Sequence, residues 1–147
     1  ENKVHAEMVY VGKSMVPWIT AIKDLIALTN SKTLLDYGSG KGFQYESMLL
    51  EDKDQMKYQS LQKYWNVSEI YCYDPGYPSY QKLPRKQYDA VVLTDVLEHC
   101  RQEDIKWILA EIFSLARKFV FANIACYKAR QILPNGDNAH CTIRPTA

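Results

Sequence analysis

The stretch Lys32-Thr-Leu-Leu-Asp-Tyr-Gly-Ser-Gly-Lys-Gly-Phe43 decides the fold of this chain. A short apolar segment runs directly into three glycines at alternating positions, Gly38, Gly40 and Gly42. A residue without Cβ adopts positive φ easily and lets another group lie against bare backbone. We therefore expect a strand, a tight turn that forms the floor of a pocket, and a helix over residues 43–50 whose first N–H groups point at that pocket. An ordinary glycine-rich turn is the alternative.

The spacing of these glycines separates two ligand classes. Dinucleotide-binding proteins use Gly-x-Gly-x-x-Gly, whereas this chain has Asp36-x-Gly38-x-Gly40-x-Gly42, which disfavours a nicotinamide dinucleotide enzyme. The pattern resembles the first motif of class I S-adenosylmethionine-dependent methyltransferases. The resemblance implies that Asp36 orders the amino end of the cofactor. It also implies that four loop residues lie against the methionine part: Gly38, Ser39, Gly40 and Gly42.

A second strand is predicted at Glu69–Tyr73, and it stops at Asp74-Pro75-Gly76. In doubly wound folds an acid at this strand end accepts the ribose hydroxyls, and the methyltransferase resemblance gives Asp74 that task, with Pro75 beside the cofactor. The alternative is an acid that only initiates a turn before Pro75 and Gly76. Because the separation of Asp36 and Asp74 is longer than is usual in the family, residues 51–66 are expected to loop out.

The segment Tyr88–Thr94 has no charge after Asp89 and is predicted to be a central buried strand. It resembles the fourth strand of the family, whose end lies beside the cofactor and the transferred methyl group. The resemblance therefore makes Thr94, Asp95 and Val96 candidate pocket residues.

The next residues, Asp95-Val-Leu-Glu98-His99, resemble a motif of ubiquinone-type O-methyltransferases and of small-RNA 2′-O-methyltransferases. On a helix, positions i, i+3 and i+4 share one face. The resemblance implies that Glu98 and His99, with Asp95 nearby and the later His140, hold a divalent metal such as Mg²⁺, Mn²⁺, Fe²⁺ or Zn²⁺. It also makes His99 a candidate catalytic base. Alternatively, the Glu-His pair only orients the helix or the cofactor.

The remaining patterns complete the fold class. Helical spacing of apolar residues over 14–29 and 103–115 alternates with strand patterns, the last at 118–124, which predicts an α/β fold with a parallel sheet. By resemblance this is a Rossmann-like, three-layer class I methyltransferase sandwich formed by one domain, residues 1–147. The proline-broken stretch 77–88 predicts that the third strand of the family is absent. The antiparallel hairpin that ends the family fold is expected to be missing after residue 147.

Composition limits the partners. The chain has 147 residues, 47% hydrophobic and 24% charged, with a formal net charge of +1. This balance fits one globular domain and does not favour RNA or another polyanion as the partner. Four cysteines without a Cys-x-x-Cys pair indicate reduced core thiols in a cytoplasmic protein. No apolar run approaches the roughly 18 residues of a membrane span, so no membrane role is expected.

These observations predict a methyltransferase that uses S-adenosylmethionine to methylate an acceptor, most simply a small molecule. A second hypothesis is a non-catalytic module, or a partner subunit, that binds S-adenosylmethionine or S-adenosylhomocysteine without turnover. The N-terminal residues 1–13 are expected to lie across the pocket as a lid. The sequence does not indicate an oligomeric state.

Overall fold

The computed structural model describes residues 13–46, 50–51 and 54–145 of the chain. These residues form three α-helices and six strands. The helices are α1 (Ile19–Thr29), α2 (Leu61–Trp65) and α3 (Ile105–Leu115). The strands are β1 (Thr33–Tyr37), β2 (Leu50–Glu51), β3 (Lys57–Tyr58), β4 (Glu69–Tyr73), β5 (Tyr88–Thr94) and β6 (Ala116–Asn123). Short 3₁₀ helices span Lys13–Trp18, Phe43–Tyr45 and Leu97–His99.

A fully parallel sheet of four strands, in the order β4-β1-β5-β6, forms the middle layer. Strand β1 pairs with β4 on one side and with β5 on the other, so that Asp36 lies between Cys72 and Val92 in register. The chain leaves β1 toward β4 and then crosses back to β5 on the opposite side. This reversal makes the carboxyl ends of β1 and β5 a topological switch point, the place where open α/β sheets bind ligands.

The two faces of the sheet bury separate apolar cores. On one face α1 and α2 cover strand residues such as Leu34 and Val92. On the other face α3 covers their neighbours, including Leu35 and Val91. Strands β1 and β5 are buried on both faces, which explains why their sequences are apolar almost throughout instead of alternating. The architecture is a three-layer α/β sandwich and is compatible with a Rossmann-like fold.

Helix α1 shows how the sequence pattern produces this packing. Ile19, Ile22 and Ile26 recur at helical spacing and are buried against the sheet. The helix ends at Asn30, whose φ of +48° is one that Asn tolerates better than most residues. From α2, Trp65 donates its indole N–H to the carbonyl oxygen of Ile19 at 2.9 Å. This bond satisfies a buried donor and joins the two helices.

The sequence predictions for the sheet are largely confirmed. Strands β4 and β5 have the predicted bounds. The first strand is predicted over Thr33–Asp36, and β1 extends one residue further, to Tyr37. Residues 74–87, all described, form no strand, as expected for a fold without the third strand of the family. Helix α3 begins at Ile105, two residues later than the predicted start.

The helix predicted over residues 43–50 is wrong. Phe43–Tyr45 form a single 3₁₀ turn, and Leu50–Glu51 instead pair with Lys57–Tyr58 in an antiparallel ladder; residues 47–49 lie outside the described residues. Within the turn, the side chains of Gln44 and Tyr45 hydrogen-bond the buried Asp36. The helix cannot continue to residue 50 because Leu50 and Glu51 have the extended backbone of the ladder.

The predicted insertion at 51–66 contains this small ladder and the short helix α2. Ser60 caps α2 by accepting the backbone N–H of Lys63 at 3.3 Å. Leu61 and Trp65, the two apolar anchors of the sequence, are buried. The insertion therefore closes one face of the core.

The four cysteines are free, but the prediction of core thiols is wrong. Cys72 and Cys100 are half-buried, and Cys126 and Cys141 are exposed. Residues 124–145 are irregular apart from one antiparallel bridge between Ile132 and Asn138. Among the described residues, no helix is long and apolar enough to cross a membrane.

We expect Ile22→Ala to lower the free energy of unfolding by about 2–5 kcal/mol, because it creates a cavity in a fully buried part of the core. Ile22 is 0% exposed, whereas Leu28 on the same helix is 82% exposed. Leu28→Ala is therefore the control and should change this free energy by less than about 0.5 kcal/mol. Urea denaturation measures both variants, and similar losses would contradict the packing of α1 on the sheet.

Candidate functional site

The candidate site is the crevice at the carboxyl ends of β1, β4 and β5. The glycine loop, residues 38–42, leaves β1 at this edge. Gly38 and Ser39 both donate their backbone N–H to the carbonyl oxygen of Tyr73, at 2.7 and 3.1 Å. The loop is therefore fixed to the end of β4, and its three glycines have φ values of +83°, +59° and +68° that favour glycine over other residues.

Asp74 joins the glycine loop to the end of β4. Its Oδ2 accepts the backbone N–H of Gly40 at 2.8 Å, and its Oδ1 accepts the backbone N–H of Gly76, also at 2.8 Å. The bond to Gly76 shows that Asp74 also initiates a turn, which was the alternative to the ribose role. Pro75 lies exposed at the tip of this turn. The bond to Gly40 brings the predicted ribose acid and the glycine motif together. Because a carboxylate offers about four acceptor positions, further donors can still bind.

Asp36 is buried directly under the loop. Its Oδ2 accepts the side-chain amide of Gln44 at 3.1 Å and the hydroxyl of Tyr45 at 2.9 Å. Burial raises the pKa of Asp36 to about 7, the nearby charge of Asp74 adds to the rise, and the bonds from Tyr45 and Gln44 oppose it. Two acidic side chains therefore lie on this edge of the sheet, and a cation there would relieve their repulsion.

The end of β5 forms the opposite wall. The hydroxyls of Thr94 and Ser14 are 3.2 Å apart, which places the segment before α1 across the end of the strand. Asp95 has a φ of +54° and accepts the side-chain amide of Asn123 through Oδ1 at 2.7 Å. The non-glycine left-handed conformation is held by this bond and by a backbone bond from Asp95 N–H to the Asn123 carbonyl at 3.0 Å.

Two side chains explain why the loop needs glycine. A Cβ built on Gly38 would lie 2.5 Å from Cγ2 of Val96, and one on Gly42 would lie 2.8 Å from Cε2 of Tyr80. Val96, a predicted pocket residue, thus packs directly on the loop. The expected lid is residues 1–13, of which residues 1–12 lie outside the described part of the chain. Ser14, the residue that follows it, contacts Thr94 at the crevice.

The structure brings the two predicted histidines together. The ring centroids of His99 and His140 are 4.8 Å apart. Nδ1 of His99 is 2.8 Å from the carbonyl oxygen of Ala139, and Nδ1 of His140 is 2.6 Å from that of Tyr127. A carbonyl only accepts, so both bonds require the proton on Nδ1 and place the lone pair of each neutral ring on Nε2.

The predicted metal set of Glu98, His99 and His140 is not formed. No three His, Cys, Asp or Glu side chains of the described residues make a group that could hold a metal. Glu98 is fully buried and accepts the backbone N–H of Ala125 at 2.8 Å. The cause is local: Leu97–His99 is a 3₁₀ turn rather than an α-helix, and Asp95 precedes it in a left-handed conformation, so i, i+3 and i+4 do not share a face.

Glu98, His99 and Cys100 instead hold the loop that follows β6. Besides the bonds to Ala125 and Ala139, the carbonyls of Glu98 and Cys100 accept the N–H and the hydroxyl of Thr142, at 3.0 and 2.7 Å. This arrangement supports the orienting role that the sequence left open for the Glu-His pair.

Sequence reasoning missed Gln44 and Tyr45, which hydrogen-bond Asp36, and it missed Ser14. Periodicity gave no signal for them, since each acts through side-chain hydrogen bonds that no repeat of apolar residues indicates. A cavity of about 430 Å³ lies next to Tyr45, and its lining also includes Cys72 and Tyr80.

No protein-family model, no curated protein and no solved structure matches this chain. The structure is an α/β protein with the glycine loop and Asp74 at the switch point of a parallel sheet, the position where open α/β sheets bind ligands. Any finer functional proposal rests on the geometry of that crevice and on the sequence motifs.

Two alanine variants separate backbone strain from the contact with Val96. Gly38 and Gly136 have φ values of +83° and +88°, but a Cβ on Gly136 has no heavy atom within 4 Å. We expect Gly136→Ala to lower the free energy of unfolding by about 1–2 kcal/mol, and Gly38→Ala by about 1–3 kcal/mol more because of the clash. In a double-mutant cycle, Val96→Ala should recover that excess. Equal losses at the two glycines, measured in urea, would argue against the contact.

The raised pKa of Asp36 predicts a pH-dependent stability. Because burial raises this pKa to about 7, the folded chain keeps a proton that the unfolded chain releases at about pH 4. The stabilisation is fully present below about pH 4 and is lost as the pH rises through about 7. Asp36→Asn stays neutral and should lack this loss, which is at most about 4 kcal/mol.

Urea denaturation between about pH 4 and pH 8 measures this difference. Asp24→Asn, at an exposed position of α1, is the control and should follow the wild type. An identical pH dependence for wild type and Asp36→Asn would show that Asp36 ionises normally in the folded chain.

Proposed function

We propose that this protein binds S-adenosylmethionine in the crevice at the ends of β1, β4 and β5 and transfers its methyl group to a small-molecule acceptor. The observation that supports this most is the 2.8 Å bond between Asp74 Oδ2 and the Gly40 N–H. It joins an acid that suits ribose hydroxyls to a glycine loop whose spacing differs from the Gly-x-Gly-x-x-Gly of dinucleotide-binding proteins. The sequence resemblance and the switch-point position favour an adenosyl ligand.

Each residue of the crevice has a task in this proposal. Asp74 accepts the ribose hydroxyls. The methionine part would lie along the backbone at Gly40, because Val96 and Tyr80 cover Gly38 and Gly42. Asp36 faces the amino end. Bound S-adenosylmethionine supplies an activated methyl group, so the protein mainly has to hold the acceptor in line with it.

The acceptor would approach between Leu97–His99 and the loop after β6. His99 is the candidate base of this proposal, because its Nδ1 donates to the Ala139 carbonyl and the lone pair of a neutral ring is then on Nε2. The proposal involves no metal-dependent step, since the predicted ligand set is not formed among the described residues.

A binding module without turnover is the second candidate. It is favoured by the bonds from residues 98–100 to Ala125, Ala139 and Thr142, which give this segment a structural task. In that case S-adenosylmethionine or its product would bind as in the first proposal, and no acceptor would be methylated.

Ligand choice is tested by titration calorimetry. S-adenosylmethionine and S-adenosylhomocysteine should bind, and NAD and NADP should not. Asp74→Ala should lose about 1.5–3 kcal/mol of binding free energy, roughly ten- to hundredfold in affinity, because hydrogen bonds to a charged acceptor are removed. Asp74→Asn should show a smaller loss, and Asp24→Ala on α1 should bind like the wild type. Unchanged affinity in Asp74→Ala would remove this residue from the site.

Turnover is tested with methyl-labelled S-adenosylmethionine and pools of small metabolites, with a small-RNA pool as the comparison. Label should appear in a small molecule and vanish with Asp74→Ala. His99→Asn keeps an N–H near the position of Nδ1, and hence the bond to Ala139, but lacks Nε2. It should lower turnover and leave cofactor affinity unchanged if His99 acts in the transition state. Tight cofactor binding with no transfer to any pool would favour the binding module.

A further inference from the structure

Two buried polar atoms of the described residues lack a hydrogen-bond partner within the protein: Oε1 of Gln44 and Oε2 of Glu98. Both lie in segments that follow a strand ending at the crevice, β1 for Gln44 and β5 for Glu98. Buried polar atoms are almost always paired in native proteins, so an unpaired one calls for an explanation. Each side chain uses its other polar atom inside the protein: Glu98 Oε1 accepts the Ala125 N–H, and Gln44 Nε2 donates to Asp36. Gln44 is the more informative of the two because its partner is the buried acid at the end of β1.

The orientation of the Gln44 amide is set by its neighbour. Its Nε2 donates to Asp36 Oδ2 at 3.1 Å, so the carbonyl Oε1 is the atom left over. When Asp36 is ionised, the reverse orientation would bring two acceptor oxygens together. Gln44 is 6% exposed and Asp36 is 1% exposed, so bulk water does not satisfy the leftover oxygen.

The surroundings favour a cationic donor over a neutral one. Asp36 lies against the Gln44 amide, and the charge of Asp74 also acts on Asp36. A primary ammonium group has three N–H donors and a positive charge. It could therefore bond Oε1 of Gln44 and pair with the Asp36 carboxylate at the same time.

We infer that Gln44 is a ligand-binding residue whose Oε1 accepts a hydrogen bond from the α-ammonium group of the bound adenosyl amino acid. This inference rests on the proposed function and adds a residue and a selectivity to it: ligands with the amino group are preferred over those without it. Gln44 and Asp36 act as a pair, because Gln44 orients the Asp36 carboxylate through the hydrogen bond from Nε2.

Tyr45 contacts both Asp36 and the neighbouring cavity. Its hydroxyl is shared between Asp36 Oδ2 at 2.9 Å and Met15 Sδ at 3.2 Å. Tyr45 also borders the cavity of about 430 Å³. Rotation of this side chain would expose the two acceptors to an incoming amino group.

The test is a cycle of two proteins and two ligands, measured by calorimetry. The ligands are S-adenosylhomocysteine and its analogue with hydrogen in place of the amino group. The proteins are the wild type and Gln44→Met, which keeps the side-chain length and removes the carbonyl. Wild type should prefer S-adenosylhomocysteine by about ten- to hundredfold, and Gln44→Met should lose about tenfold of that preference.

The control is Gln87→Leu, because Gln87 also makes one amide bond, to the Ser114 carbonyl at 2.8 Å, but is exposed. It should keep the wild-type preference. Gln44→Glu retains an acceptor oxygen at the same place, and a proton shared between its carboxyl group and Asp36 replaces the lost amide bond, so this variant should keep most of the preference. Thermal denaturation of each protein shows whether it folds. If Gln44→Met does not fold, the comparison of Gln44→Glu with the wild type still tests the inference.

The outcomes separate this inference from the proposed function. A wild type that binds neither ligand would overturn both. A wild type that binds both ligands equally well, or a Gln44→Met variant that weakens both by the same factor, would overturn the role of Gln44 alone. Loss of preference in Gln44→Glu as large as in Gln44→Met would also count against it.

Discussion

The carboxylate of Asp74 is the point on which the arrangement of the crevice depends. Through its two oxygens it binds the N–H groups of Gly40 and Gly76, and its own N–H donates to the Tyr80 carbonyl at 2.9 Å. The Asp74 side chain thereby fixes the glycine loop and the turn after β4, and its backbone holds the segment that places Tyr80 over Gly42. Charge-assisted bonds of this kind are stronger than neutral ones, so the shape of the site follows largely from one acid at one strand end.

The crevice also contains two neighbouring acids. Asp36 and Asp74 lie on the same edge, and burial keeps the pKa of Asp36 near 7 instead of its usual acidic value. Such a pair is costly for folding, and a cation bound beside it would lower that cost. The unpaired oxygen of Gln44 beside them points to the same kind of ligand. Stability has thus been given up where a ligand can restore it.

The parts of the fold that follow from local patterns were predictable. The strands at Glu69–Tyr73 and Tyr88–Thr94 are marked by composition, and their ends gave the positions of Asp74 and Thr94. The two failures have different causes. Phe43–Tyr45 form one short turn in which Gln44 and Tyr45 bond a buried acid, and Leu50–Glu51 then pair as a strand instead of continuing a helix. The metal set failed for a local reason, because Leu97–His99 is a 3₁₀ turn preceded by a left-handed Asp95. Helical periodicity indicates neither feature.

The most direct test of the account is a crystal structure of the protein with S-adenosylhomocysteine. The account predicts the ribose hydroxyls within hydrogen-bond distance of the Asp74 carboxylate, the homocysteine part against the loop from Gly38 to Gly42, and the amino group between Asp36 and Gln44. A ligand bound elsewhere on the protein, or one in the crevice whose ribose does not touch Asp74, would contradict it.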